Sequence, residues 1–154
     1  MGQILKAAVG NHEQEFIDIT DSQLDEIRDQ PIDRLRESAQ LRAKSLRNKS
    51  IGDTYTFKGY KWYTDRDSIN DVFMVLNAHL SLGGSLSDPA PNWKTAYASF
   101  ATDLTYQDFK DFLKEVRTHI QEKYDKEAVL LNKINKMTKS ELKSVDLVEE
   151  WENV

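Results

Sequence analysis

The chain has 154 residues, no cysteine, a formal net charge of −5 and 39% hydrophobic residues. That length specifies one domain that closes its core without staples, burying roughly 70% of the surface its unfolded chain exposes, and the cysteine count excludes a disulfide framework or a thiolate metal site. The acidic balance argues against nucleic acid as a main partner, no apolar run approaches the roughly 18 residues of a membrane span, and MGQILKAAVG has neither a secretory signal's apolar core nor a Ser or Thr at the myristoylation position.

In chain order, Ile4-Leu5, Ala7-Ala8-Val9 and Phe16-Ile17 are short apolar pieces around Gly10-Asn11, and predict two short strands or an extended arm. Thr20-Asp21-Ser22-Gln23 matches a capping box and opens a short helix through Leu24 and Ile27. That helix stops before Pro31, since the residue preceding proline is pushed out of the helical region. Residues 1–30 are therefore expected to form an N-terminal arm of short strands plus a short helix, and residues 31–154 the main domain. From Pro31 to about Asn48 a second helix carries Ile32, Leu35, Ala39, Ala43 and Leu46 on one face and Arg34, Gln40, Arg42, Lys44 and Arg47 on the other.

The stretch from Thr54 to Leu82 is the organising unit. Tyr55-Thr56-Phe57 and Tyr60-Lys61-Trp62-Tyr63 are β-formers on either side of Lys58-Gly59, a tight hairpin. Asp65 and Ser68 then cap a helix with Ile69, Val72, Phe73, Leu76 and Leu80 at helical spacing. Gly83-Gly84 and Pro89 and Pro91 mark a loop; the aromatic segment Trp93–Phe100 is expected to be extended and to add a third strand to the hairpin. Thr105 caps the longest element, where Phe109, Phe112, Val116, Ile120, Tyr124, Ala128, Leu131 and Ile134 recur without Gly or Pro. Thr138–Glu141 is a capping box for one last helix, and Trp151 closes the chain. The predicted fold is α+β and helix-dominated: a small antiparallel hairpin or sheet packed on amphipathic helices, one of them long. Trp62 is expected to anchor the hairpin against the 68–82 helix.

No residue set spells out a reaction, so no catalytic, cofactor or metal residue is nominated. His12, His79 and His119 are scattered and match no ligand pattern; His79 reads as a partly buried core residue. Asp65 and Asp67 read as helix-cap residues, without the Gly and terminal Glu of a calcium loop. Charge is blocked: acidic over 11–30, basic over 31–50, acidic over 141–154. Such blocks are either solvated helix faces or docking surfaces, for the chain itself or for a partner.

The ordered set Asp65, Ser68, Trp93, Thr105, Ile134, Thr138, Glu141 and Trp151 resembles a small domain of unknown function found in tailed-bacteriophage tail-fibre and tail-fibre-assembly proteins. The resemblance covers about residues 33–151, leaving the arm outside it. It implies a virion tail protein made in the host cytoplasm, either a structural component or an assembly chaperone and adaptor, that docks onto phage tail or fibre proteins or onto itself and has no enzymatic activity. In that reading Trp62, Asp65, Ser68, Trp93, Thr138, Glu141 and Trp151 are structural anchors. Arg34, Arg42 and Arg47 on the basic helix are candidate partner contacts. So are Leu131, Ile134 and Met137, because a straight helix from Thr105 to Met137 spans roughly 50 Å against a globule diameter of about 40 Å. The end of its apolar stripe then projects, unless the helix bends or residues 1–30 fold over it. The alternative is a small nucleic-acid-binding regulator that uses helix 34–49 with the hairpin aromatics.

Overall fold

The computed structural model describes residues 30–154, together with the backbone of two N-terminal strands, β1 (Gly2–Ala7) and β2 (Gln14–Ile19). These pair antiparallel from Gly2↔Ile19 to Ala7↔Gln14, so the arm contains a hairpin. The helix expected after Thr20 lies outside the described residues. There follow α1 (Ile32–Ile51), β3 (Thr54–Phe57), β4 (Tyr60–Tyr63), α2 (Arg66–Ser81), β5 (Trp93–Lys94), β6 (Phe100–Ala101), α3 (Tyr106–Lys136), α4 (Lys139–Ser144) and α5 (Leu147–Glu152). The fold is α+β, helix-dominated, with one long helix and three two-stranded antiparallel sheets among the described residues.

The local signals in the sequence become hydrogen bonds. Asp65 accepts from the Ser68 N–H at 3.0 Å and its hydroxyl at 2.7 Å, starting α2. At the head of α3, the Asp108 carboxylate accepts from the Thr105 N–H at 2.9 Å while the Thr105 hydroxyl accepts from the Asp108 N–H, a reciprocal box. Thr138 accepts from the Glu141 N–H at 3.2 Å and starts α4. In the β3–β4 hairpin Phe57 faces Tyr60 across a two-residue loop whose Lys58 and Gly59 have φ of 53° and 77°. Positive φ at both positions is the turn that matches strand twist, and Lys58 tolerates it while its ammonium lies 3.4 Å from Asp108.

Two cores sit end to end along α3, whose 31 residues span about 46 Å. The first packs Phe109, Phe112, Leu113 and Val116 against Phe57 and Trp62 of the hairpin, Val72 and Leu76 of α2, and Ala101 and Leu104. The second packs Leu130 and Ile134 against Ala39, Ala43 and Leu46 of α1, Leu142 of α4 and Trp151 of α5. The domain is thus built lengthwise, which the globule-diameter argument left out.

Four expectations are corrected. The Trp93–Phe100 segment adds no third strand to the hairpin. It makes its own ladder, Trp93↔Ala101 and Lys94↔Phe100, because Tyr97 and Ala98 turn the chain back at φ of 59° and 58°. Trp62 faces α3 first: it stacks on Phe112 at 4.5 Å and meets Phe109 edge-on at 6.3 Å, with α2 contributing Val72 to the same cluster. The terminal helix is two helices, broken at Val145-Asp146, where the Asp146 carboxylate accepts from the Val148 and Glu149 N–H groups. On α2, Phe73 and Leu80 point to solvent and the core takes Val72 and Leu76.

Candidate functional site

The structure disperses the residues expected to meet a partner. Arg34 and Arg42 are exposed on α1, but Arg47 is 8% exposed. Its guanidinium donates to Glu127 Oε1 of α3 at 2.9 Å and lies 2.7 Å from Oε2 without the angle of a hydrogen bond. It also bonds Asn48 Oδ1 and covers the Tyr124 ring at 4.3 Å. Arg47 is a clamp between α1 and α3, and its candidacy as a partner contact is withdrawn. The same holds for the stripe end: Ile134 is fully buried, and Leu131 and Met137 pack on the second core. Their cover comes from α1, α4 and α5, which the sequence reading had not placed there. Lys133 reaches Glu150 at 3.4 Å and so ties the acidic tail to α3.

The anchors fare better. Trp62 and Trp151 are core, Trp93 is half-buried edge-on to Phe109 at 5.2 Å, and Asp65, Ser68, Thr138 and Glu141 are caps. His79 is partly buried: Nε2 lies 3.0 Å from both the Ser85 carbonyl and Asp88 Oδ2, and its ring stacks on Tyr106 at 3.6 Å. It holds the 82–91 loop onto the head of α3, where the Tyr106 N–H donates to the Asp88 carbonyl and the Gln107 N–H to the Leu86 carbonyl. Gly84 lies so close that a Cβ there would fall on the imidazole.

Among the described residues three groups are shifted from their ordinary pKa. The Ser68 hydroxyl and N–H hold the Asp65 carboxyl below its ordinary range. At Asp108 burial pushes up, but the Thr105 N–H and the Lys58 ammonium outweigh it and the net direction is down. Burial first and the Glu115 carboxylate second push the Tyr55 phenol up; its OH donates to Glu115 at 3.3 Å. All three serve caps or packing. Among the described residues no cluster of three His, Cys, Asp or Glu side chains could hold a metal ion, and no helix is long and apolar enough to cross a membrane.

Two concave surfaces among the described residues flank α2. The first is a cleft of about 630 Å³ between β4, the start of α2 and the β5–β6 turn, lined among others by Tyr63, Asp71, Asn92, Trp93, Lys94 and Phe100. Thr95 also lines it, 2% exposed, its buried hydroxyl without a hydrogen-bond partner. Its rim is aromatic: Phe100 is 53% exposed and Tyr63 42%, and beside the cleft the 71% exposed Tyr97 donates its N–H to the Tyr63 phenol at 3.4 Å. Non-glycine residues with left-handed φ cost roughly 1–2 kcal/mol each, and Tyr97, Ala98 and Asp103 all carry that cost here. The second is a groove of about 1,070 Å³ between α2 and α3, with Ile69, Phe73, Leu76 and Leu113 along its apolar seam. The sequence reading missed both as surfaces; the Trp93–Phe100 aromatics and Phe73 were the available signals, and both were assigned to sheet or core.

Fold and surfaces together define a helix-dominated α+β domain built lengthwise on one long helix, with open clefts on its flank. The chain belongs to the DUF4376 family, a domain of unknown function, which it matches over residues 34–149. No curated protein and no solved structure matches it.

Proposed function

We propose that this protein is a bacteriophage tail-associated structural or tail-fibre-assembly protein that acts by docking onto tail or fibre chains in a larger assembly, without catalysis. The observation that carries the docking reading is the exposed aromatic rim of the cleft. Tyrosine and other aromatics dominate the energetic centres of protein interfaces, and here Tyr63 of β4 and Phe100 of β6 stand in solvent on the rim, with Tyr97 beside them on a turn held in left-handed geometry. Strain of that kind persists where a surface is kept in a fixed shape. The tail setting rests on the resemblance over about 33–151, nearly the span of the family match, 34–149. Its shared positions are caps and core, so the specificity of docking belongs to the surfaces between them.

Mass spectrometry of purified phage particles tests the reading. Stoichiometric copies in the particle mean a component. Absence from the particle, with fibreless particles when the gene is deleted, means an assembly factor. Absence with normal, fully fibred particles ends the proposal. The nucleic-acid alternative retains Arg34, Arg42, Lys44 and Lys49 as exposed cations on α1, but Arg47 is clamped and Phe57 and Trp62 are core. A gel shift that fails at low salt removes it.

A further inference from the structure

The α2–α3 groove holds two unspent features. Phe73 is 51% exposed in the middle of its apolar seam, although a side chain of that size is usually buried. Along the α3 wall the charges are ordered. Its N-terminal half presents Lys110, Lys114 and Arg117 with only Asp111 against them, and its C-terminal half presents Glu122 and Asp125 with no cation. Among the described residues no ion pair engages Lys110, Lys114, Arg117, Glu122 or Asp125. The helix does not neutralise itself either: Asp111 and Asp125 take the side-chain amides of Gln107 and Gln121, each at 2.8 Å.

We infer that this groove docks the same groove of a second copy of the chain, the two α3 helices lying antiparallel about a twofold axis near Arg117-Thr118. A twofold contact is self-complementary: each patch meets its own reverse. Antiparallel overlap centred there sets Lys110 of one copy beside Asp125 of the other, and Lys114 beside the Gln121-Glu122 step. Both sets of contacts occur twice over a stretch of about 22 Å. A parallel overlap sets like charges together and is disfavoured. The two Phe73 side chains supply the apolar anchor that charged rims lack. The occupant is read from the charge order: a groove whose two halves are opposite in sign fits its own inverse without any other partner. This inference does not rest on the tail proposal, since the groove pairs or fails to pair in any setting.

Sedimentation equilibrium of the full chain at low ionic strength tests it, with circular dichroism confirming that each variant is folded. The wild type is expected at twice its chain mass, and salt should weaken the association. Lys110→Glu with Lys114→Glu, and separately Glu122→Lys with Asp125→Lys, should each raise the dimer dissociation constant by about a hundredfold or more, because like charges then face each other. Mixing these two variants should restore the dimer, and Phe73→Ser should weaken it while leaving the fold intact. The inference is overturned by a monomeric wild type, the result expected if the acidic 11–30 block covers the groove in cis. It is also overturned by a dimer that ignores the charge reversals, or by reversed variants that do not rescue each other, the result expected of a groove that takes a different protein.

Discussion

Arg47 is the residue on which sequence and structure disagree most sharply, and a double-mutant cycle with Glu127 decides between them. If Arg47 is a clamp, Arg47→Ala leaves the Glu127 side chain, 13% exposed, without its cation. Breaking a buried pair by removing one partner costs about 3–5 kcal/mol; with both side chains slightly exposed, the lower end applies, near 3 kcal/mol. The Tyr124 contact adds about 0.5–1 kcal/mol, since that ring is half in water. Against a total stability of about 5–15 kcal/mol, and at roughly 2–4 °C per kcal/mol for a chain of this size, the combined loss of about 3.5–4 kcal/mol should lower the melting temperature by about 7–16 °C. Replacing both residues by Leu should return stability to within about 1 kcal/mol of wild type, because a well-packed apolar pair is no worse than a buried ionic one. Urea titrations followed by far-UV circular dichroism give the four corners of the cycle, with unchanged m-values as the two-state check. An Arg47→Ala cost under about 1 kcal/mol would sink the argument: the side chain would then be a surface cation, free for docking as the sequence suggests.

Trp62 is 2% exposed and its indole N–H donates to the Phe57 carbonyl at 3.0 Å, so Trp62→Ala should cost about 3–5 kcal/mol and Trp62→Phe about 0.5–1.5 kcal/mol for the lost hydrogen bond besides the smaller ring, both read from urea midpoints. Asp108 has a depressed carboxyl pKa in the folded state, so its contribution is present in full above the ordinary carboxylate range, about 4, and is lost as pH falls through the folded value. The stability gap between wild type and Asp108→Asn should therefore shrink on acidification below about pH 4, and a gap that stays flat there refutes the assignment. Gly84→Ala should cost about 1–3 kcal/mol by overpacking, because the new methyl meets the His79 ring; amide exchange should then rise at Gln107 and Tyr106, whose N–H groups hold the 82–91 loop, and unchanged exchange counts against the role given to His79.

What the sequence made legible was what neighbours in the chain decide. The caps at Asp65, Thr105 and Thr138 and the Lys58-Gly59 turn each satisfy backbone groups within a few residues, so residue type and spacing suffice. The α1 face Ile32–Leu46 was equally plain, because one helix buries one stripe. The long helix shows where that logic stops. Apolar spacing selects Tyr124 and Ala128 to bridge Ile120 and Leu131, yet both are exposed. Glu127 stands about five turns from Phe109 and so lies on the same line of the helix. A carboxylate occupies the buried face at the joint between the two cores, and it is tolerated there only because α1 brings Arg47 across eighty residues of chain. No local pattern announces that pairing; the basic residue looks like surface and the acidic one like the far side of the helix.

The exposed apolar surfaces were hidden for the converse reason. On α2, Val72, Phe73, Leu76 and Leu80 are all compatible with one apolar stripe, but α2 packs on α3 along only part of that arc. The core takes Val72 and Leu76, and the surplus is left outside: Phe73, Leu80 and, beyond the stripe, Met74. Hydrophobic spacing counts apolar residues without saying how many of them the fold can cover. The difference between the two, visible only once the neighbouring helix is in place, is the apolar surface the fold leaves uncovered.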